Sequence, residues 1–314
     1  MPTKRACPNC LQADFAIIPC HARQGVPLHP AICKSCGLVL LDPIYNDAEK
    51  ETLSRSTRSL HRARLGNAPV RKAYRRMIPR SQRCMDFLRK YIHPGDDVLE
   101  VGSGDGSLLR LLQQHGASPV GNDLDSAGAQ YVQNEFGIPV AIGPFEEVDF
   151  GDKQFDAVVS VHFIEHVFDP VAVLAKMKRL LRPGGVLFLE TPNILRPKVG
   201  PTRVFSLPHN YYFSPRTLTL SLYKAGLQTC AIREFNRDSF QIMAVRPHGT
   251  TSREAPTGDP WREVVERIHW HGFRYWASLQ FLWRKMPGLN EAVLYKIHHD
   301  REGDSLNHWL HKVA

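Results

Sequence analysis

Three constellations in this chain carry residue types that can do chemistry. The first is a pair of C-x-x-C knuckles, Cys7-Pro-Asn-Cys10 and Cys33-Lys-Ser-Cys36, separated by 22 residues. Thiolates at that spacing predict a tetrahedral zinc site, and four of them leave no open position, so the metal is expected to be structural. Cys20 and His21 are spare ligand candidates. The second is VLEVGSGDGS, in which the carboxylate of Glu100 precedes Gly102, Gly104 and Gly106. Glycine lets backbone approach a ligand closely and accepts positive φ. A dinucleotide loop wants G-x-G-x-x-G, yet Ser107 takes its last position, and an acid before the first glycine repels a pyrophosphate. The loop suits a cationic ligand bearing an ammonium group. About twenty residues on, Asp123, with Asp125 as fallback, can accept hydrogen bonds from both hydroxyls of a ribose. The third is His162-Phe-Ile-Glu165-His166, with His209 in LPHNYYFSP. A histidine near neutral pKa can take a proton from an acceptor. His162, Glu165 and His166 can also share a divalent metal, while Glu165-His166 reads equally well as a helix-start pair capping backbone amides.

Elements must hold these residues in place. The expected order is strand Asp97–Val101, a helix from Ser107, strand Val120–Asp123, a helix over 126–136 and strand Pro139–Ile142. Then come an apolar strand at Phe155–Val161, a helix over 170–181 ended by Pro183-Gly184-Gly185, and strand Val186–Glu190. Strand–helix alternation predicts a parallel sheet, and the continuous apolar runs predict its central strands. A helix over 214–225 and a hairpin-like pair, Leu227–Phe235 with Phe240–Val245, complete it. The mouth of such a sheet is the carboxyl edge of its strands, where Glu100, Asp123 and His162 all fall.

Over residues 80–245 the chain resembles the class I S-adenosylmethionine-dependent methyltransferases. The resemblance lies in the E-x-G-x-G-x-G loop, the acid at Asp123, FDAVVSVHFIEHVFDP and LLRPGGVLFLETPN. It implies a doubly wound, Rossmann-like seven-stranded α/β sheet, with S-adenosylmethionine held by Glu100, Gly102, Gly104 and Asp123. It further implies that Phe145 and Glu146, within Gly143–Glu146, lie near the adenine and Ser160 near the methionine moiety. Methyl transfer from a sulfonium is a direct displacement, so the protein positions the acceptor and, for a hydroxyl, removes a proton. His162, His166 and His209 are the candidates. In ubiquinone-biosynthesis O-methyltransferases the similar segment reads E-x-x-E-H and is associated with a divalent metal, whereas here His162 replaces the first acid. Ribbons ending C-x-x-C-G-L-V and followed by a Pro are similar to those preceding methyltransferase cores of bacterial sugar and natural-product enzymes. This implies a sugar, nucleotide-sugar or glycan acceptor.

The 314 residues, 43% hydrophobic and 23% charged, exceed one ordinary domain and exclude global disorder. The expected division is a ribbon over 1–45, a basic helical connector over 46–92, a core over 93–248 and a Trp-rich helical tail over 249–314. Between Lys50 and Lys90 stand thirteen Lys or Arg against Glu51 and Asp86, an excess of eleven, so with a net charge of +9 the remainder sums to −2. That segment can hold phosphates of RNA, a nucleotide-sugar or an anionic lipid, or be a solvated helix face. An RNA substrate is therefore one alternative, and a non-catalytic zinc-stabilised scaffold another. The tail's tryptophans can pack on the core, contact a membrane surface or form a dimer interface. The N-terminus MPTKRACPNC has no apolar signal core and no run of 18 apolar residues follows, so a cytoplasmic protein is expected.

Overall fold

The computed structural model describes residues 6–18, 28–42, 70–197, 204–206, 209–235, 238–248, 261–268 and 270–271. Cys20, His21, the basic stretch over 50–69 and Trp276, Trp283 and Trp309 lie outside the described residues.

The ribbon contributes three short strands, β1 (Phe15–Ile17), β2 (Pro30–Cys33) and β3 (Val39–Leu41). After them come α1 (Val70–Leu88), β4 (Asp97–Val101), α2 (Ser107–Gln114), β5 (Ser118–Asp123), α3 (Ser126–Phe136), β6 (Val140–Ile142) and β7 (Phe155–Val161). The chain continues through α4 (Pro170–Leu180), β8 (Leu181–Pro192), β9 (Tyr211–Tyr212), α5 (Pro215–Lys224), β10 (Gln228–Glu234) and β11 (Ser239–Val245). A last helix, α6, covers residues 261–268. Side chains start these helices at the places the sequence marks. Asp125 accepts the Ala127 amide before α3, and Asp169 accepts those of Val171 and Ala172 before α4. Ser214 and Thr217 form a reciprocal capping box on α5, with Pro215 in its first turn.

Seven strands form the main sheet in the order β10-β11-β8-β7-β4-β5-β6. Strands β4 to β8 run parallel, and β11 lies antiparallel to both β8 and β10, as the hairpin-like pair predicts. Both faces are covered. Val98, Ala157, Val159, Phe188 and Met243 pack on α1 and α2 through Leu88, Leu108 and Leu112. Their strand neighbours Leu99, Val158, Leu187, Leu189 and Ile242 pack on α4 and α5 through Leu174, Met177 and Leu218. The period of two thus separates two apolar faces, as expected of buried parallel strands. The chain leaves β4 in one direction through β5 and β6 and returns to its other side at β7. That reversal opens a crevice at the carboxyl ends of β4 and β7.

A second sheet has the order β1-β2-β3-β9, so its fourth strand is lent by the segment between β8 and α5. One face, through Leu38, Leu40 and Tyr211, joins the main core; the other, through Ile32, Val39, Leu41 and Tyr212, is covered by Val264, Val265 and Ile268 of α6. No described helix is long and apolar enough to cross a membrane.

Candidate active site

Glu100, next to last in β4, is 3% exposed, and its Oε2 has no hydrogen-bond partner among the described residues. Burial, followed by the charges of Asp105 and Asp123, holds its carboxyl well above the ordinary range. A buried acid with a bare oxygen is a place for a cation. The glycines after it differ in what surrounds them. A Cβ on Gly106 would meet Val132 at 2.3 Å and one on Gly102 would meet Phe163 at 3.1 Å, but one on Gly104 would meet nothing within 4 Å. Gly104, at φ +53°, is the point where a ligand reaches bare backbone. Its amide donates to Asp123 Oδ2 at 2.7 Å, while Asp123 Oδ1 accepts the Asp125 amide at 2.8 Å. The two amides orient this half-buried acid towards the loop. The donor set therefore fits an adenosyl sulfonium with its ammonium and ribose.

Farther along the crevice, the loop after β6 is held by Asn122, whose side chain donates to the carbonyls of Ala141 and Gly143. Phe145 is buried in the main core and Glu146 is exposed. Lys176 fixes both by donating to their carbonyls at 2.7 and 3.0 Å. Ser160, on β7, is buried and donates its hydroxyl to the Val101 carbonyl at 2.9 Å, tying β7 to β4.

His162 follows β7 at φ +53°, an unusual conformation for a residue with a side chain. Its Nδ1 lies 3.1 Å from Glu165 Oε1 and its Nε2 lies 3.5 Å from Glu190 Oε1. Burial opposes the charged ring, but the hydrogen bond to Glu165 and the nearby carboxylate of Glu190 outweigh it and push His162 up to about 9. Glu165 shows the reciprocal balance: burial raises it, yet His162 holds it down to about 2. Its other oxygen accepts the Thr191 hydroxyl at 3.0 Å. Glu190 in turn accepts from Gln241 at 2.7 Å and Cys84 at 3.2 Å, with Arg80 at 3.9 Å. Sequence reasoning passed over this second acid, although a carboxylate closing the apolar run VLFLE is itself a signal.

His166 and His209 meet edge to face, ring centres 4.9 Å apart, and His166 Nε2 lies 4.0 Å from Glu165 Oε1. Ligand atoms of Glu165, His166 and His209 all fall within 4.8 Å of one another, so the metal-competent group includes His209 in place of the expected His162. In the ribbon, the four cysteine sulfurs likewise fall within 4.8 Å, with Cys7–Cys36 at 3.5 Å and Cys10–Cys33 at 3.4 Å. Zinc–sulfur bonds of about 2.3 Å require tetrahedral edges of about 3.8 Å, so the cluster fits the ion after small outward shifts.

A family pattern described as methyltransferase domain matches residues 71–232, which include every strand of the parallel sheet. The chain belongs to the methyltransferase domain family. Among its curated relatives, a protein of Mycolicibacterium smegmatis named a probable S-adenosylmethionine-dependent methyltransferase is 30% identical over 135 residues, 43% of this chain and 52% of that one. The ubiquinone biosynthesis O-methyltransferase of Pseudomonas paraeruginosa is 37% identical over 105 residues, 32% of this chain and 45% of that one. The methyltransferase thus spans about half the length of the curated relatives it matches. Among solved structures, an S-adenosylmethionine-dependent methyltransferase of Mesorhizobium loti aligns with a TM-score of 0.45 at 17% identity. That alignment covers 51% of this chain and 96% of the other.

Proposed function

We propose that this methyltransferase transfers the methyl group of S-adenosylmethionine to a hydroxyl of a small-molecule or saccharide acceptor. The observation that supports it best is the bare, buried oxygen of Glu100 beside the open backbone of Gly104, across the crevice from the histidine loop that follows β7. In this reading Glu100 receives the ammonium and Asp123 the ribose hydroxyls. Gly102 and Gly104 admit the donor to the backbone, and Phe145 and Glu146 frame the adenine. Ser160 acts by holding β7 against β4. The donor, when bound, supplies an electrophilic methyl on sulfur. The chain's own part is to bring the acceptor oxygen in line and remove its proton. His162 already carries its proton at neutral pH, so it serves as a cation locking Glu165 and Glu190, and His166 with His209 is the base. The likeness to an O-methyltransferase supports a hydroxyl acceptor, and the Cys₄ ribbon holds structural zinc. A second reading, favoured by the proximity of Glu165, His166 and His209, has a divalent cation there orienting the acceptor.

Incubating zinc-loaded protein with the donor and a panel of sugar nucleotides and hydroxylated aromatics should release S-adenosylhomocysteine only with the matching acceptor. Failure to bind the donor by calorimetry would sink the reading and favour the scaffold. Turnover on RNA that falls steeply with salt would transfer the assignment to a nucleic acid. His166→Ala and His209→Ala should each lower kcat by roughly 10²–10⁴, the usual contribution of a general base. A rise in the wild-type rate on adding Mn²⁺, absent in both variants, would favour the metal.

A further inference from the structure

Asn9 stands between the two cysteines of the first knuckle at 0% exposure, and it reaches 208 residues along the chain for its partner. Its amide donates to the Thr217 carbonyl at 2.8 Å, and its side-chain oxygen accepts the Ser221 hydroxyl at 2.7 Å. Both partners lie in α5, directly after β9. The ribbon holds the other end of the same segment through strand pairing. Val39 faces Tyr212 and Leu40 faces Tyr211, and the Leu41 amide donates to the Asn210 carbonyl at 3.0 Å. On its inner side this segment grips the histidine loop. The Asn210 and Tyr211 amides donate to the Glu165 carbonyl at 2.8 and 3.1 Å, the Asn210 side chain donates to the carbonyls of His166 and Val167, and the Tyr211 hydroxyl donates to that of Phe168. The contacts of Glu100, Gly104 and Asp123 run through β4, β5 and the turn before α3, and share none of these bonds.

We infer that Asn9 is a positioning residue for the acceptor wall. Closure of the first knuckle on zinc fixes Asn9, and Asn9 together with the β3–β9 pairing fixes the wall that carries His209 and Glu165-His166. A knuckle turn is rigid while its two cysteines share an ion; without the ion, the four thiols, three of them buried, lose the attraction that closes them and the turn is released. Loss of zinc therefore loosens the acceptor side and leaves the donor cradle intact. The inference rests on the reading that residues 209–213 line the acceptor site.

The test uses the full zinc-loaded chain and the variant Asn9→Ala, which removes both of these bonds and leaves the Ser221 hydroxyl and Thr217 carbonyl bonded to each other at 3.1 Å. Hydrogen exchange at the amides of Leu41, Asn210 and Tyr211 should quicken roughly tenfold, as expected when a buried hydrogen-bond pair is removed. Zinc content should stay at one ion per chain, and S-adenosylmethionine affinity by calorimetry should change less than about twofold. Stripping zinc from the wild type should give the same pattern of exchange. If Asn9→Ala does not fold, Ser221→Ala removes one of the two bonds and should move the same amides in the same direction by a smaller factor. Unchanged exchange at those amides, or donor affinity falling in step with them, would overturn the inference. Absence of donor binding in the unmodified protein would instead defeat the functional reading.

Discussion

Two buried carboxylates enclose His162, and the arrangement has a consequence for stability that can be measured without an acceptor. The ring titrates at about 9 in the folded chain against an ordinary 6.5. A raised folded value means stabilisation that is complete below about pH 6.5 and is lost as pH rises through 9. Glu165, held down to about 2 from 4.5, contributes above 4.5 and loses that contribution as pH falls towards 2. Thermal midpoints should thus plateau between about pH 4.5 and 6.5 and decline towards pH 9. His162→Phe should abolish the alkaline decline and leave two buried acids facing each other, costing on the order of 3 kcal/mol. A wild-type midpoint that stays level from pH 6.5 to 9 would show that the ring is neutral. Glu100 titrates in the opposite sense on donor binding. Its carboxyl is held high by burial and by Asp105 and Asp123, and an ammonium beside it favours the ionised form, so donor binding and proton release are linked. Affinity for S-adenosylmethionine should rise with pH up to that raised value, and calorimetric enthalpies should vary with buffer ionisation. Glu100→Gln should remove both effects and weaken binding by roughly 1–3 kcal/mol, the range for a hydrogen bond to a charged group.

At the level of elements, the glycine loop separates two roles that look alike in sequence. Gly106 and Gly104 both have positive φ, but a Cβ on the first drives into Val132 of α3 while one on the second meets open space. Gly106→Ala should therefore destabilise the fold by about 1–3 kcal/mol through overpacking and backbone strain. Gly104→Ala should cost about 1 kcal/mol in stability through φ alone yet obstruct the donor. Denaturant midpoints beside donor affinities would distinguish them, and equal losses of stability would contradict the assignment. These elements were legible because each leaves a local, periodic trace: β4, α3 and β7 begin and end within a residue or two of their expected limits. The helix expected over 170–181 ends at Leu180, but the Pro183-Gly184-Gly185 turn expected between it and the next strand lies inside β8, which starts at Leu181 and not at Val186, with Gly184 donating its amide to the Arg246 carbonyl beside β11. Two residues suffice for β9 because their partner is the ribbon, and a pairing across about 170 positions leaves no period to read. Separation along the chain likewise hid Asn9 behind Thr217, 208 residues away, and a shorter gap between successive strands hid Glu190 behind His162.

Across the whole molecule, ribbon and sheet share one core. Cys7, Cys33 and Cys36 belong to the same apolar cluster as Leu99, Leu174 and Leu218, and α6 covers the ribbon's outer face through Val264, Val265 and Ile268. A unit with so little apolar surface of its own depends on that shared burial and on whatever ion its four cysteines would hold. The two parts should consequently unfold together. Calorimetric heating of the zinc-loaded chain should give a single transition, since breaking the β3–β9 pairing exposes Leu40 and Tyr211 on the main-core side and Val39 and Tyr212 on the other. A chelator should lower the midpoint of the sheet as well as that of the ribbon. If the shared face couples them by even ~2 kcal/mol, the fall is about 4–8 °C for a body of this size. Two separate transitions, with the larger one indifferent to the chelator, would mean that the ribbon is a passenger; a joint fall makes it part of the framework that holds the proposed acceptor wall.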